Sequence, residues 1–198
     1  HCNDWQTALL PLLLHARRPR PALVFTIHNL AYQGLFPYEE LARLGIAPHY
    51  FHPDALEFHG SLSFIKGGIV FADRVTTVSP SYAREIQTPA FGHGLDGLLR
   101  HRSPVLSGIL NGIDTTAWNP ARDPSLALNY GVATLARKRQ NKIALQAEAG
   151  LDTDPAAPLL AFIGRLAGQK GIDLLLQALP VLLAHPAQAV VLGSGDAA

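Results

Sequence analysis

Methionine is absent from the 198 residues, cysteine occurs once, at Cys2, and charged side chains make up only 16% of the chain. A lone cysteine forms no internal disulfide, so the fold needs no covalent staple and suits a reducing compartment such as the cytoplasm. Lysine plus arginine number 16 against 15 acidic residues. That balance, with "RRPR" at 17–20 as a short basic loop, lacks the electrostatic footprint of a nucleic-acid or anionic-membrane binder. No run reaches the roughly 20 uninterrupted apolar residues that span a bilayer, and the N-terminus has no charged region leading into an apolar signal core. The missing methionine, the start at His1 and the stop just after the strand-like "VVLGSGDAA" read as a fragment cut at both ends.

Several catalytic signatures are missing too. In "GRLAGQKG" at 164–171, Gln169 precedes Lys170 and Gly171 follows it, which is not the Gly-Lys-Ser/Thr of a Walker loop. Gly164 and Gly168 do not give the dinucleotide spacing either. No G-x-S-x-G elbow occurs, and "SPSY" at 79–82 reads as a helix start. His49, His52 and His59 have no cysteine partner, and Pro53 interrupts the helix that would align them, so no metal is expected.

What is present is a core-forming composition, 48% hydrophobic, arranged as alternating strands and helices. "NDWQTALLPLLLH" reads as a helix capped by Asn3 or Asp4 and kinked at Pro11. "ALVFTI" at 22–27 reads as a buried strand, "YEELARLG" as a short helix, and "SLSFIKGGIVFA" as a helix despite Gly67 and Gly68. "DRVTTVS" is a β-branched strand that Pro80 ends before the helix "SYAREIQ". "VLSGILN" is a further strand, "NGID" a turn, and the Pro- and Asp-rich stretch after it a connector. A helix over 134–149, the strand "APLLAFIG", the helix "IDLLLQALPVLL" and "AVVLGSG" complete a βαβ unit and predict a parallel sheet. A domain junction is placed near residue 112.

In a parallel α/β sheet, ligands sit beyond the carboxyl ends of the strands, so the polar residues there carry the functional expectations. Arg165 and Lys170, flanked by glycines at a helix start, suit a phosphate; they equally suit a charged surface loop. His28 is either a site residue or a core histidine satisfied by a backbone carbonyl. Asp4 is a site carboxylate or a helix cap, and Asn111 a ligand contact or a turn residue.

Taken together, "NDWQTALLP", "VFTIHNLAYQGLFP", "FHGSLSFIKGGIVFADRVTTVSPSYAREI", "GILNGIDTTAWNP", "NK" at 141–142 and "GRLAGQKGIDLLLQALP" resemble the bacterial glycogen synthases and plant starch synthases. The resemblance runs in order along nearly the whole chain. It implies a GT-B fold of two Rossmann-like domains with parallel sheets, both incomplete here. Residues 1–112 would be the C-terminal part of the N-terminal, acceptor-side domain. Residues 113–198 would be the connector and first βαβ unit of the nucleotide-sugar-binding domain.

The implied activity is retaining transfer of glucose from ADP-glucose to the non-reducing end of an α-1,4-glucan, glycogen or starch. By the same resemblance Asp4 and His28 are catalytic and border the transferred glucose. Asn111, Arg165 and Lys170 bind the nucleotide sugar, the last two at its diphosphate. Trp5, Tyr32 and Gln33 line the sugar and acceptor site. No metal and no cofactor are implied, and the compartment would be the cytoplasm, or the plastid in a plant or alga. Neither the donor base nor the oligomeric state has a signature in these residues.

The family's first strand-loop, with a lysine followed by paired glycines, and its later acidic donor motif have no counterpart among the matched stretches, so the chain is expected to be inactive by itself. Asn3 stands where many bacterial relatives have histidine. A sucrose- or trehalose-forming glucosyltransferase of the same fold is the nearest rival, and a non-catalytic glucan-binding relative the rival of another class.

Overall fold

The β-branched and aromatic runs around Phe25 and Val75 pair as neighbouring parallel strands, and two further short strands flank them. In the computed structural model, which describes residues 1–195, they are β1 (Cys2–Asn3), β2 (Val24–Ile27), β6 (Arg74–Thr77) and β7 (Leu106–Gly108), in that spatial order. Register runs Cys2 to Phe25, Phe25 to Val75 and Val75 to Leu106. All pairs are parallel, so every carboxyl end lies on one edge. The chain divides into two units, His1–Gly112 and the remainder from Ile113.

Between β1 and β2 the chain forms α1 (Asp4–Thr7) and α2 (Leu9–His15). The expected kink lies one turn ahead of Pro11, at Ala8. Proline cannot donate to the Thr7 carbonyl and its ring crowds that group, so the helix restarts and Pro11 falls in its first turn.

"SLSFIKGGIVFA" is corrected by the structure. Ser61–Ser63 is a strand, β5, flanked by β3 (Leu35–Phe36) and β4 (Glu57–Phe58) in a small antiparallel sheet. Only Phe64–Phe71 is helical, α4, with Ser63 as its cap. The Ser63 hydroxyl accepts from the Lys66 N–H, which turns a strand into a helix within one residue.

Glycine in a helix interior costs about 1 kcal/mol. Gly68 repays it through contact: a Cβ there would stand 2.6 Å from the Phe25 ring. The missing side chain lets α4 lie directly on β2, where Phe25, Ile27, Ile65, Ile69 and Val75 are all fully buried.

Helices α5 (Pro80–Glu85) and α6 (Asp96–His101) follow β6. The expected turn at "NGID" falls later: Asn111 and Gly112 lie in an irregular segment, and the Asp114 carboxylate accepts from the Thr116 and Ala117 amides. Those two bonds hold its carboxyl below the usual range.

In the second unit, α7 (Lys138–Glu148) precedes β8 (Leu159–Ile163), α8 (Ile172–Leu182) and β9 (Gln188–Leu192), with β8 and β9 parallel. The "NK" pair has a structural task. Asn141 bonds both the amide and the carbonyl of Leu128, and the Lys142 ammonium donates to the Pro155 and Ala157 carbonyls. The connector and the loop before β8 are thereby tied to one helix. No helix among the described residues is long and apolar enough to cross a membrane.

At the amino end of β6, Asp73 accepts two hydrogen bonds from Arg20 and one from the Leu23 amide, all at 2.7 Å. Arg20 and then Leu23 hold the carboxyl far below its usual range. A carboxyl lowered in the folded state stabilises above its unfolded pKa of about 4, and that stability is lost as pH falls below it.

Two outcomes follow for urea unfolding. Gly68→Ala should destabilise by about 1–3 kcal/mol, because the methyl group drives into Phe25. Asp73→Asn should lower the midpoint at pH 7, with a deficit that shrinks on going from pH 5 to pH 2; a deficit independent of pH would remove the ionic role.

Candidate active site at the strand ends

β1 and β2 end side by side, and the residues just beyond them converge. Asp4 Oδ1 accepts the His28 backbone N–H at 2.7 Å. Asp4 itself has a left-handed backbone, φ 52, which costs a non-glycine residue about 1–3 kcal/mol. Thr7 holds that geometry from both sides, accepting from the Asn3 N–H at 2.6 Å and donating to the Asn3 carbonyl at 2.7 Å. Asp4 is therefore no helix cap, since its carboxylate reaches across to the next strand.

His28 is exposed, and its Nε2 lies 3.1 Å from Asn3 Oδ1. It is not a core histidine satisfied by the backbone. The Asn29 side chain accepts from the Ala31 N–H at 3.1 Å, an Asx turn that lifts Tyr32 to 53% exposure. Asp4, Trp5, Gln6, Asn29 and Tyr32 line a pocket of about 240 Å³.

Trp5 packs against Phe36, ring centroids 5.7 Å apart, and over Gly34. A Cβ at Gly34 would come within 2.7 Å of the indole, and its φ of +62 is one that glycine alone adopts cheaply.

Gln33 is not on that surface. It is buried, with its amide donating to the His93 carbonyl at 2.9 Å and accepting from the Ser63 hydroxyl at 3.3 Å. Its bonding is spent on joining the loop to the small sheet and to the loop before α6; Gln6 and Asn29, not Gln33, are among the residues lining the pocket. Asn111 is exposed three residues past β7, and its side chain has no hydrogen bond among the described residues.

In the second unit, Arg165 and Lys170 lie in the loop from β8 to α8. Both are exposed and unbonded at the side chain among the described residues, which leaves all their donors available. Arg165 lines a cleft of about 190 Å³ with Leu166, Ala167, Ser194 and Gly195, at the carboxyl ends of β8 and β9. A larger groove of about 810 Å³ runs along α7 to Leu159. Leu159 opens β8, so that groove is at the amino end and off the ligand edge. The histidines at 49, 52 and 59 do not converge, and no group of three metal-ligating side chains occurs among the described residues.

Residues 1–101 match the family model described as starch synthase catalytic domain. The chain belongs to that family. It is 62% identical over 196 residues to glycogen synthase 1 of Methylococcus capsulatus, covering 99% of this chain and 40% of that protein. The glycogen synthase of Cellvibrio japonicus is 58% identical over 195 residues, 98% of this chain and 40% of that protein.

A solved structure, the catalytic domain of starch synthase IV from Arabidopsis thaliana bound to ADP and acarbose, matches with a TM-score of 0.90 and 38% identity. It covers 100% of this chain and 42% of that one. The chain thus has the α/β GT-B architecture of a glycosyltransferase family and spans about two fifths of its relatives' length.

One supporting residue had no sequence signal. The Tyr82 phenol, on α5, accepts the Leu30 N–H at 3.0 Å, 52 residues away. Burial raises its pKa, against the Leu30 hydrogen bond. "SPSY" announces only a helix start, because the partner is set by strand pairing. Tyr82→Phe should speed Leu30 amide exchange at least tenfold while leaving Val75 in β6 protected; unchanged Leu30 protection would mean that the phenol does not hold the loop.

Proposed function

We propose that the protein carrying this chain is a glycogen or starch synthase, transferring glucose with retention from ADP-glucose to the 4-hydroxyl at the non-reducing end of an α-1,4-glucan. The observation that carries the reading is the strand-end pocket lined by Asp4, Trp5 and Tyr32, with His28 tied beside it by its N–H to Asp4, in a family of glucan-building enzymes. In this reaction the bond from glucose C1 to the donor diphosphate breaks and its electron pair leaves with the nucleotide. The acceptor oxygen bonds to C1 on the same face and loses its proton.

Each residue then has a task. Asp4 Oδ1 is committed to the His28 amide, which leaves Oδ2 to orient the sugar or to stabilise positive charge at C1. The His28 ring, held by Asn3, donates to a sugar hydroxyl. Trp5 and Tyr32 offer the aromatic surface that a pyranose face covers. Arg165 supplies a planar fork and Lys170 a mobile charge to the diphosphate, where negative charge grows on the leaving group. Asn111 contacts the donor. Two cations in these positions perform the charge neutralisation that a metal performs elsewhere, so the reaction as proposed uses neither metal nor cofactor. The soluble, cytoplasmic setting of glycogen synthesis is part of the same proposal.

The enzyme of full family length is the object to assay. ADP-[14C]glucose should label glycogen, while label appearing only in a small sugar such as sucrose or trehalose would overturn the glucan reading. Arg165→Ala and Lys170→Ala should each lower kcat/KM roughly 100-fold or more with unfolding midpoints unchanged. Wild-type rates in both would remove the diphosphate role.

A further inference from the structure

A second concave site in the first unit lies between α4 and α6, a groove of about 520 Å³ whose walls include Phe58, Lys66, Val70, Leu98, His101 and Arg102. Its volume is that of a small-molecule site. Lys66 is only 8% exposed. Its ammonium donates to the carbonyls of Pro53 and Glu57, which leaves one of three N–H groups uncommitted. Arg102 donates through Nη2 to the Ala72 carbonyl at the end of α4, and its Nε is buried with no partner.

Buried cations are ordinarily paired. Among the described residues the lysine and arginine ion pairs are Arg20–Asp73, Arg43–Glu40 and Arg100–Asp96, so neither Lys66 nor Arg102 has one. Of the nearby carboxylates, Asp73 accepts from Arg20 and Leu23 and Glu57 from the Gly60 N–H, while Asp54, 92% exposed beside His52, lines the groove near Lys66. Burial lowers the pKa of both cations, with Glu57 and Asp54 opposing at Lys66 and Asp73 at Arg102. The groove thus holds a buried ammonium, a half-buried guanidinium and an apolar floor, with the exposed Asp54 carboxylate also in its lining.

We propose that this groove binds a small phosphomonoester, its phosphate on Arg102 and His101 and its body over Leu98 and Val70 toward Phe58 and Lys66. An anion there gives the half-buried Arg102 guanidinium, whose one hydrogen bond goes to the Ala72 carbonyl, an acceptor and a counter-charge. Arg102 meets the end of α4 just before β6 begins, so the phosphate sits at the amino end of the sheet, opposite the strand-end pocket. The site is regulatory or accessory and independent of the donor chemistry.

The test is calorimetric titration of the enzyme of full family length with glycerol phosphate and with inorganic phosphate, against chloride at matched ionic strength. Saturable binding is expected, tighter for glycerol phosphate because its body covers the apolar floor. His101→Glu, an exposed change that preserves the fold and repels the anion, should weaken it at least tenfold, as should Arg102→Gln. Arg165→Ala and Lys170→Ala should leave it unchanged. Absence of saturable binding, affinity retained in both groove variants, or loss in Lys170→Ala overturns the proposal; tighter binding of inorganic phosphate overturns the ester.

Discussion

The hydrogen bond from the His28 N–H to Asp4 Oδ1 joins the ends of two neighbouring parallel strands at 2.7 Å, and the candidate site is arranged around it. Without that bond the loop after β2 would lose the first of its anchors. With it, the Asp4 carboxylate, the His28 ring and the Tyr32 ring share one edge of the sheet. An acceptor that is ionised makes such a bond stronger than a neutral one. Its location, at the carboxyl ends of parallel strands, is where α/β sheets place ligands.

The loop it anchors is pinned again further along. Tyr82 takes the Leu30 amide, Asn29 takes that of Ala31, and Gln33 binds the His93 carbonyl. Each bond satisfies a polar group that burial or tight turning would otherwise leave unpaired. Together they convert an irregular segment into a rigid shelf for aromatic and imidazole groups, as the proposed sugar site requires. Beneath the shelf, Gly68 of α4 allows close helix-to-sheet contact, so the strand that leads into His28 is backed by a packed core.

The second unit follows another logic. Arg165 and Lys170 make no side-chain bonds within the described protein, whereas Lys142 is bonded to two carbonyls. Lys142 sits within α7 and Lys170 just before α8; one is a fastener and the other is held in reserve. The same contrast separates Lys66, which fastens the loop before β4 while facing a groove, from the surface lysines. The partners of a lysine, more than its place in a motif, decide which role it has.

Much of this was legible in the residue order. The β-branched run before Pro80, the strand-turn-helix of residues 159–182 and the polar residues after "VFTI" all follow local rules, because strand propensity, proline stops and strand-end loops depend on neighbours a few positions apart. The ordered motifs also led to the right family. The antiparallel strand at Ser61–Ser63 was not legible, since three residues of alternating pattern before a helix become a strand only when Leu35–Phe36 and Glu57–Phe58 arrive beside them. Nor was the fate of Gln33, a polar residue in a polar loop that turned inward because His93 and Ser63 had bonds to offer. Sequence by itself determined the alternation of elements, the family and the chemical types at the strand ends. Tertiary structure alone decided which of those side chains remain free to meet a ligand, because hydrogen-bond partners 24 to 60 residues away are selected by how the sheet brings the strands together.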